Sequence, residues 1–200
     1  MEHHITKQLS AAHPKFSYVM TKKETLVVDI MIASSVSFVA DVSLTMNAAG
    51  GNATVRCIVL PKHNASVTLI TRQIHVASSA TSNLLVKSVI IDASTVTFQG
   101  NVSIGQHASK SDAYQKNENL LFGTGGVINT SPTLEILNND VRCTHGVTTG
   151  TIPDDVAWYM RTRGLSETAA KSLYIDGFIR GSMGTIQKSD MLYDLKRSDI

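Results

Sequence analysis

Cysteine, proline and charge are all scarce in this chain of 200 residues, and each scarcity excludes something. There are 2 cysteines, Cys57 and Cys143, too few and too far apart for a disulfide framework. The start, Met1-Glu-His-His-Ile5, lacks a basic segment followed by an apolar one, so no signal peptide is expected and both thiols are read as free. Charged residues make up 17% of the chain, and 18 basic against 16 acidic residues leave a net charge of +2. The basic residues are scattered rather than clustered, which argues against nucleic-acid binding. No run approaches the roughly 20 apolar residues that cross a bilayer; Leu26–Ile32 is short and Asp29 interrupts it. No membrane association and a cytoplasmic location are expected. Tight hairpin turns are also missing. No Asn-Gly occurs, and the sole Asp-Gly, Asp176-Gly177, lies in a helical pattern.

What is abundant is Ser, Thr, Val and Ile, in short runs that alternate apolar with polar. Val67 and Leu69 oppose Thr68; Val96 and Phe98 oppose Thr95 and Thr97. Turn residues separate the runs at 47–52, Lys62-His-Asn64, 78–83 and Gln99-Gly-Asn101. A β-sandwich and a parallel β-helix both fit this texture, and the missing hairpin turns lean toward the β-helix, although no crisp short repeat is visible. Near Thr151 the pattern changes. Pro153, Asp154 and Asp155 suit a helix start, Gly164 a stop, and Ser166 the N-cap of a second helix reaching about Ile179. Ala169, Ala170, Leu173 and Phe178, with Tyr174, form its expected packing stripe. A short helix after Ser189 is a weaker expectation. The reading divides the chain into a lead-in (1–25), a β body (26–150) and a helical unit (151–200).

An ordered series of motifs resembles the C-terminal region of the SufB/SufD family of iron–sulfur cluster assembly scaffolds. It runs through Asn119-Leu-Leu121, Thr130-Ser-Pro-Thr-Leu-Glu-Ile136, Asn139-Asp-Val-Arg-Cys-Thr-His-Gly146, Gly150-Thr-Ile152 and Tyr159-Met-Arg-Thr-Arg-Gly-Leu-Ser166, ending with Ala170 and Phe178. Upstream, Phe98-Gln-Gly100 and Ala108–Asp112 also fit. The Cys143-Thr-His145-Gly146 version is SufD-like: SufB-like members carry an acidic residue at the place of Gly146, and a cluster-linked cysteine in the stretch matching 125–130, where this chain has none. The resemblance implies a short SufD-like scaffold, not an enzyme. Its implied fold is a right-handed parallel β-helix with a small C-terminal α-helical unit. The implied partners are a SufB-like or identical chain and a SufC-type ABC ATPase docking on the helical unit.

Cys143 and His145 are the sharpest chemical candidates, since thiolate and imidazole are ligands that iron prefers. One residue apart on a strand, they project from the same face. Two ligands do not hold a cluster, so the remaining ligands would come from a partner subunit, which fits the transient iron–sulfur cluster at a subunit interface that the resemblance implies, with His145 the metal-binding candidate. Glu135 is a candidate supporting group or a solvated strand residue. Trp158, Tyr159, Arg161, Arg163, Tyr174 and Phe178 are candidates for docking the ATPase, with packing on the β body the alternative for Trp158. His75 and His107 read as surface or turn residues, and His3, His4 and His13 as part of a poorly ordered start. Cys57 reads as a buried core thiol. Gly123-Thr-Gly-Gly126 lacks the ending of a phosphate-binding loop and reads as a turn. The rival readings are a β-helical enzyme acting on carbohydrate or acyl substrates, and a degenerate SufD paralogue that assembles no cluster.

Overall fold

Alternation of side chains decides the architecture, because it gives each strand one apolar face that has to be covered on the inside of a coil. The computed structural model describes residues 2–122 and 124–181. Eleven strands follow in order: β1 (Glu2–Gln8), β2 (Lys15–Met20), β3 (Thr25–Ser34), β4 (Phe38–Met46), β5 (Asn52–Pro61), β6 (Ser66–His75), β7 (Thr81–Ile90), β8 (Thr95–Ile104), β9 (Asp112–Leu121), β10 (Val127–Ile136) and β11 (Arg142–Gly150). Two helices close the described chain, α1 (Asp154–Thr162) and α2 (Glu167–Arg180). Odd-numbered strands form one sheet, β1-β3-β5-β7-β9-β11, and even-numbered strands the other, β10-β8-β6-β4-β2. Every pairing among the described residues is parallel. The chain is a parallel β-solenoid of about five turns.

The interior is built from the two inward faces. Leu26, Val28, Ile30 and Ile32 stack on Ala53, Val55, Cys57 and Val59 in one sheet. Across from them lie Val42, Leu44, Met46, Val67, Leu69, Val96 and Phe98. Each such buried side chain contributes about 1.5–3 kcal/mol, the main term that offsets the ordering of the coils. Burial pushes the Cys57 thiol up to about 12, with the Asp29 carboxylate adding to it, so it is an inert core thiol. Toward the C-terminal end the inward columns turn polar: Thr71, Gln73 and His75 on β6, and Gln115, Asn117 and Asn119 on β9, are all buried.

The structure departs from expectation in three places. Gln99-Gly100-Asn101 is not a turn but the middle of β8. The glycine is there for close approach: a Cβ on Gly100 would lie 2.1 Å from Gln115 Nε2 and 2.6 Å from Phe98 Cζ. Strands also begin upstream of Leu26, since β1 pairs with β3 and β2 with β4. Their interior positions include the partly buried Ile5, Phe16 and Tyr18. Finally, α2 is rolled relative to its expected stripe: Ala170, Ile175 and Ile179 are buried, while Leu173 is 52% exposed. The helix ends match their sequence signals, with Asp154 and Asp155 in the first turn of α1, Gly164 at φ +86°, and Ser166 Oγ accepting from the Ala169 amide. The expected helix after Ser189 lies outside the described residues.

Candidate functional site at the open end of the solenoid

Among the described residues β11 is the last strand of its sheet, paired with β9 on one side only. Its odd-numbered side chains point inward. Cys143 packs beside a small cluster of Val102, Ile104, Ala108 and Ala113, and Thr149 Oγ1 accepts from the buried Asn119 amide. His145 and Val147 share that face. No further coil covers them among the described residues, so His145 is exposed, Val147 is 38% exposed, and Ile136 on β10 is 43% exposed. Cys143 is half-buried, and burial followed by the Asp112 charge raises its pKa. The thiol must therefore give up a proton before it can bind a metal. The end of the solenoid thus presents a thiol, an imidazole, apolar side chains and unpaired strand edges on one surface.

The strand beneath holds this end in place. Asn117 and Asn119 bond one another through Nδ2 and Oδ1 at 3.2 and 2.8 Å, and Asn119 Nδ2 also donates to Thr148 O at 3.3 Å. At the start of β11, Arg142 pairs with Asp112. Glu135 is exposed on the outer face of β10, accepting a 3.4 Å bond from Ser103 Oγ, and so does not join Cys143 and His145. Among the described residues no three His, Cys, Asp or Glu side chains converge as metal ligands.

The helical unit is clamped onto the outer face of the odd-numbered sheet. Ile175 and Ile179 pack on Ile58, Leu60, Val89 and Leu120, with Tyr174 and Phe178 at the margin. Lys87, only 6% exposed, donates from Nζ to the Phe178 carbonyl at 2.6 Å, sits 4.1 Å from the centre of the Phe178 ring, and lies 3.3 Å from Glu118 Oε2. Burial opposes the charge on Glu118. The Lys116 hydrogen bond and the Lys87 ammonium outweigh it and hold the carboxyl below its usual range. Lys87→Met is expected to cost about 1.5–3 kcal/mol, the range for a hydrogen bond to a charged group. Faster backbone hydrogen exchange in 167–180 than in the solenoid strands is the measurement that checks it. On α1 the outcome for the aromatic pair differs from the packing alternative. Trp158 is 62% and Tyr159 55% exposed, with Arg163 over the Tyr159 ring at 5.1 Å and Arg161 also at the surface.

Two features escape the sequence reading. His75 is not a surface residue; it ends β6 inside the solenoid, 1% exposed, with Nε2 2.7 Å from Ser82 Oγ. His4 is not in a disordered start but in β1, with Nε2 2.8 Å from Asp29 Oδ2, and Arg56 grips the same carboxylate. An Asp inside the apolar run Leu26–Ile32 was the available signal: a buried acid requires a cation. His107 is exposed in a turn, as expected, and the described part of the 123–126 string is a turn.

Residues 11–178 match the family model described as "SUF system FeS cluster assembly, SufBD core domain". The chain is 34% identical over 131 residues to the iron–sulfur cluster assembly protein SufD of Escherichia coli (strain K12), covering 64% of this chain and 31% of that protein. It is 36% identical over 97 residues to a SufBD family protein of Synechocystis sp., covering 48% of this chain and 21% of the relative. Its identity to the iron–sulfur cluster assembly protein SufB of Bacillus subtilis (strain 168) is 27% over 108 residues, covering 54% and 23%. The chain spans less than a third of the length of these relatives. With the family model covering most of the chain, this protein belongs to the SufB/SufD family of the SUF iron–sulfur cluster assembly system.

Proposed function

We propose that the chain is a non-catalytic scaffold subunit on which an iron–sulfur cluster is built as cargo at the open end of the solenoid. The observation that carries this reading is the placement of His145 and Cys143 on the inward face of β11, beside a strand edge that is unpaired among the described residues. His145, exposed, is the principal iron ligand; Cys143, half-buried with a raised pKa, is the secondary one. Two side chains leave a cluster incomplete, so the remaining ligands come from a SufB-like or second identical chain that covers the same end. The exposed Trp158, Tyr159, Arg161 and Arg163 of α1 form the docking face for a SufC-type ABC ATPase, while Tyr174 and Phe178 support it from below. Such a complex works in the cytoplasm, and no helix among the described residues is long and apolar enough to cross a membrane.

Anaerobic reconstitution with iron and sulfide, with and without a SufB-like scaffold, tests the reading. The wild-type chain is expected to raise iron–sulfur absorbance in the mixture, and His145→Ala to lower the cluster yield at least tenfold, about 1.4 kcal/mol of lost affinity. An unchanged yield in His145→Ala removes the ligand role. No absorbance with any partner leaves a degenerate paralogue that keeps the fold without the chemistry.

A further inference from the structure

When the hydrogen bonds of the solenoid interior are assigned among the described residues, one amide side chain is left with nothing. Gln115 on β9 is 1% exposed, and neither its Oε1 nor its Nε2 has a partner. The hydroxyls of Thr71, Ser88 and Ser111 also lack a partner, and Gln73 Oε1 and His75 Nδ1 lack one bond while their residues bond elsewhere; Gln115 is the buried amide that leaves both its atoms unbonded. The amide lies against the backbone of the facing sheet at Gly100, where only the missing Cβ makes room for it. It is held there by space and not by bonding, and a buried amide without partners disfavours folding unless something later uses it.

The register places His145 beside this amide. Gln115 pairs across the sheet with His145, and both side chains are on the inward face. Adjacent strands are about 4.8 Å apart, a distance that an extended glutamine spans. The same ladder already contains such a contact four residues on, where Asn119 Nδ2 donates to Thr149 Oγ1, its own register partner, at 3.4 Å. A histidine that binds a metal through one ring nitrogen regularly donates its other N–H to a fixed acceptor, which sets the tautomer and the ring plane. Asp112 belongs to Arg142, and Glu135 faces outward, so neither supplies that acceptor.

We propose that Gln115 is the positioning residue for His145, its Oε1 accepting the ring N–H that points away from the iron. The inference rests on the reading of His145 as a ligand. It adds the group that makes one orientation of the imidazole the working one.

Ring-nitrogen NMR of the full chain carrying isotopically labelled histidine tests this, alone and with a SufB-like scaffold added, with His145→Gln identifying the signal. In the wild-type complex one His145 tautomer should dominate. Gln115→Met should change the tautomer ratio about fivefold, the effect of one ordinary hydrogen bond. Gln115→Glu, which keeps an acceptor, should retain the dominant tautomer and move the ring-nitrogen shifts. The melting temperature of Gln115→Met should be no lower than wild type, since two unpartnered polar atoms are removed. Identical ring signals in wild type and Gln115→Met, whether or not stability changes, overturn the proposal. If Gln115→Met does not fold, Gln115→Glu decides alone, and unmoved ring nitrogens overturn it. The two readings fail separately. A ring that responds to Gln115 in a protein whose cluster yield ignores His145→Ala leaves the contact standing and the ligand role fallen.

Discussion

Asp29→Ala is expected to lower the unfolding free energy by about 3–5 kcal/mol, the range for breaking a buried ion pair from one side. Asp29 is fully buried although it sits on the outer face of β3, because its two oxygens are covered by partners from the neighbouring strands. Arg56 Nε donates to Oδ1 at 2.5 Å and Arg56 Nη2 to Oδ2 at 2.7 Å, a two-pronged grip that matches the planar guanidinium to the carboxylate. His4 reaches Oδ2 from the other side, so the same carboxylate ties β1 to β3 and β3 to β5. Alanine removes the carboxylate that a mostly buried guanidinium faces, and with it the two-pronged grip and the His4 contact. The check is urea unfolding: the midpoint should fall with an unchanged slope. The double replacement Asp29→Leu with Arg56→Met should recover most of the loss, since exchanging both members of a buried pair for apolar groups is often neutral.

The second large effect depends on pH. Burial pushes the His75 imidazole down to about 4, partly opposed by the Asp112 charge. In the unfolded chain a histidine titrates near 6.5. Between those values the unfolded state binds a proton that the folded state does not, so stability is complete above about pH 6.5 and is lost as the pH falls toward 4. The full loss is about 3 kcal/mol. Glu118, whose carboxyl is held low, loses its contribution only below its unfolded pKa of about 4.3, which leaves most of the window to His75. Urea unfolding at pH 7 and pH 4.5 should show the drop in wild type. His75→Leu should flatten it, whatever its own effect at neutral pH. Equal pH dependence in the two proteins rules the account out.

Much of this molecule was legible because β structure writes its faces into the sequence at a period of two. The inward pairs Val67 with Leu69 and Val96 with Phe98, and the common face of Cys143 and His145, follow from alternation alone. The coil length was not legible. Register partners Thr25, Asn52, Thr81, Asp112 and Arg142 are 27, 29, 31 and 30 residues apart, so insertions at the corners blur any repeat. Without the register nothing places Gln115 beside His145, and without the docking of α2 nothing connects Lys87 with Phe178. Gly100 was misread because glycine signals a turn in most strands, whereas here it makes room for a side chain that arrives from the opposite sheet. His75 was misread for a related reason: its partner Ser82 lies on the next strand, and an isolated histidine looks solvated until that partner is known. In α2, the apolar residues Leu173 and Ile175 both suit a packing face, and only the docking of the helix on Ile58 and Val89 selects Ile175.

The central claim is that His145, on the inward face of the last strand, is an iron ligand of a cluster completed by another chain. Pulsed electron paramagnetic resonance on the reduced cluster tests it most directly, with isotopically labelled histidine in this chain and an unlabelled SufB-like partner. The prediction is a strongly coupled labelled nitrogen that disappears in His145→Ala. A cluster that forms with no coupled nitrogen from this chain, or a coupling that survives His145→Ala, contradicts it.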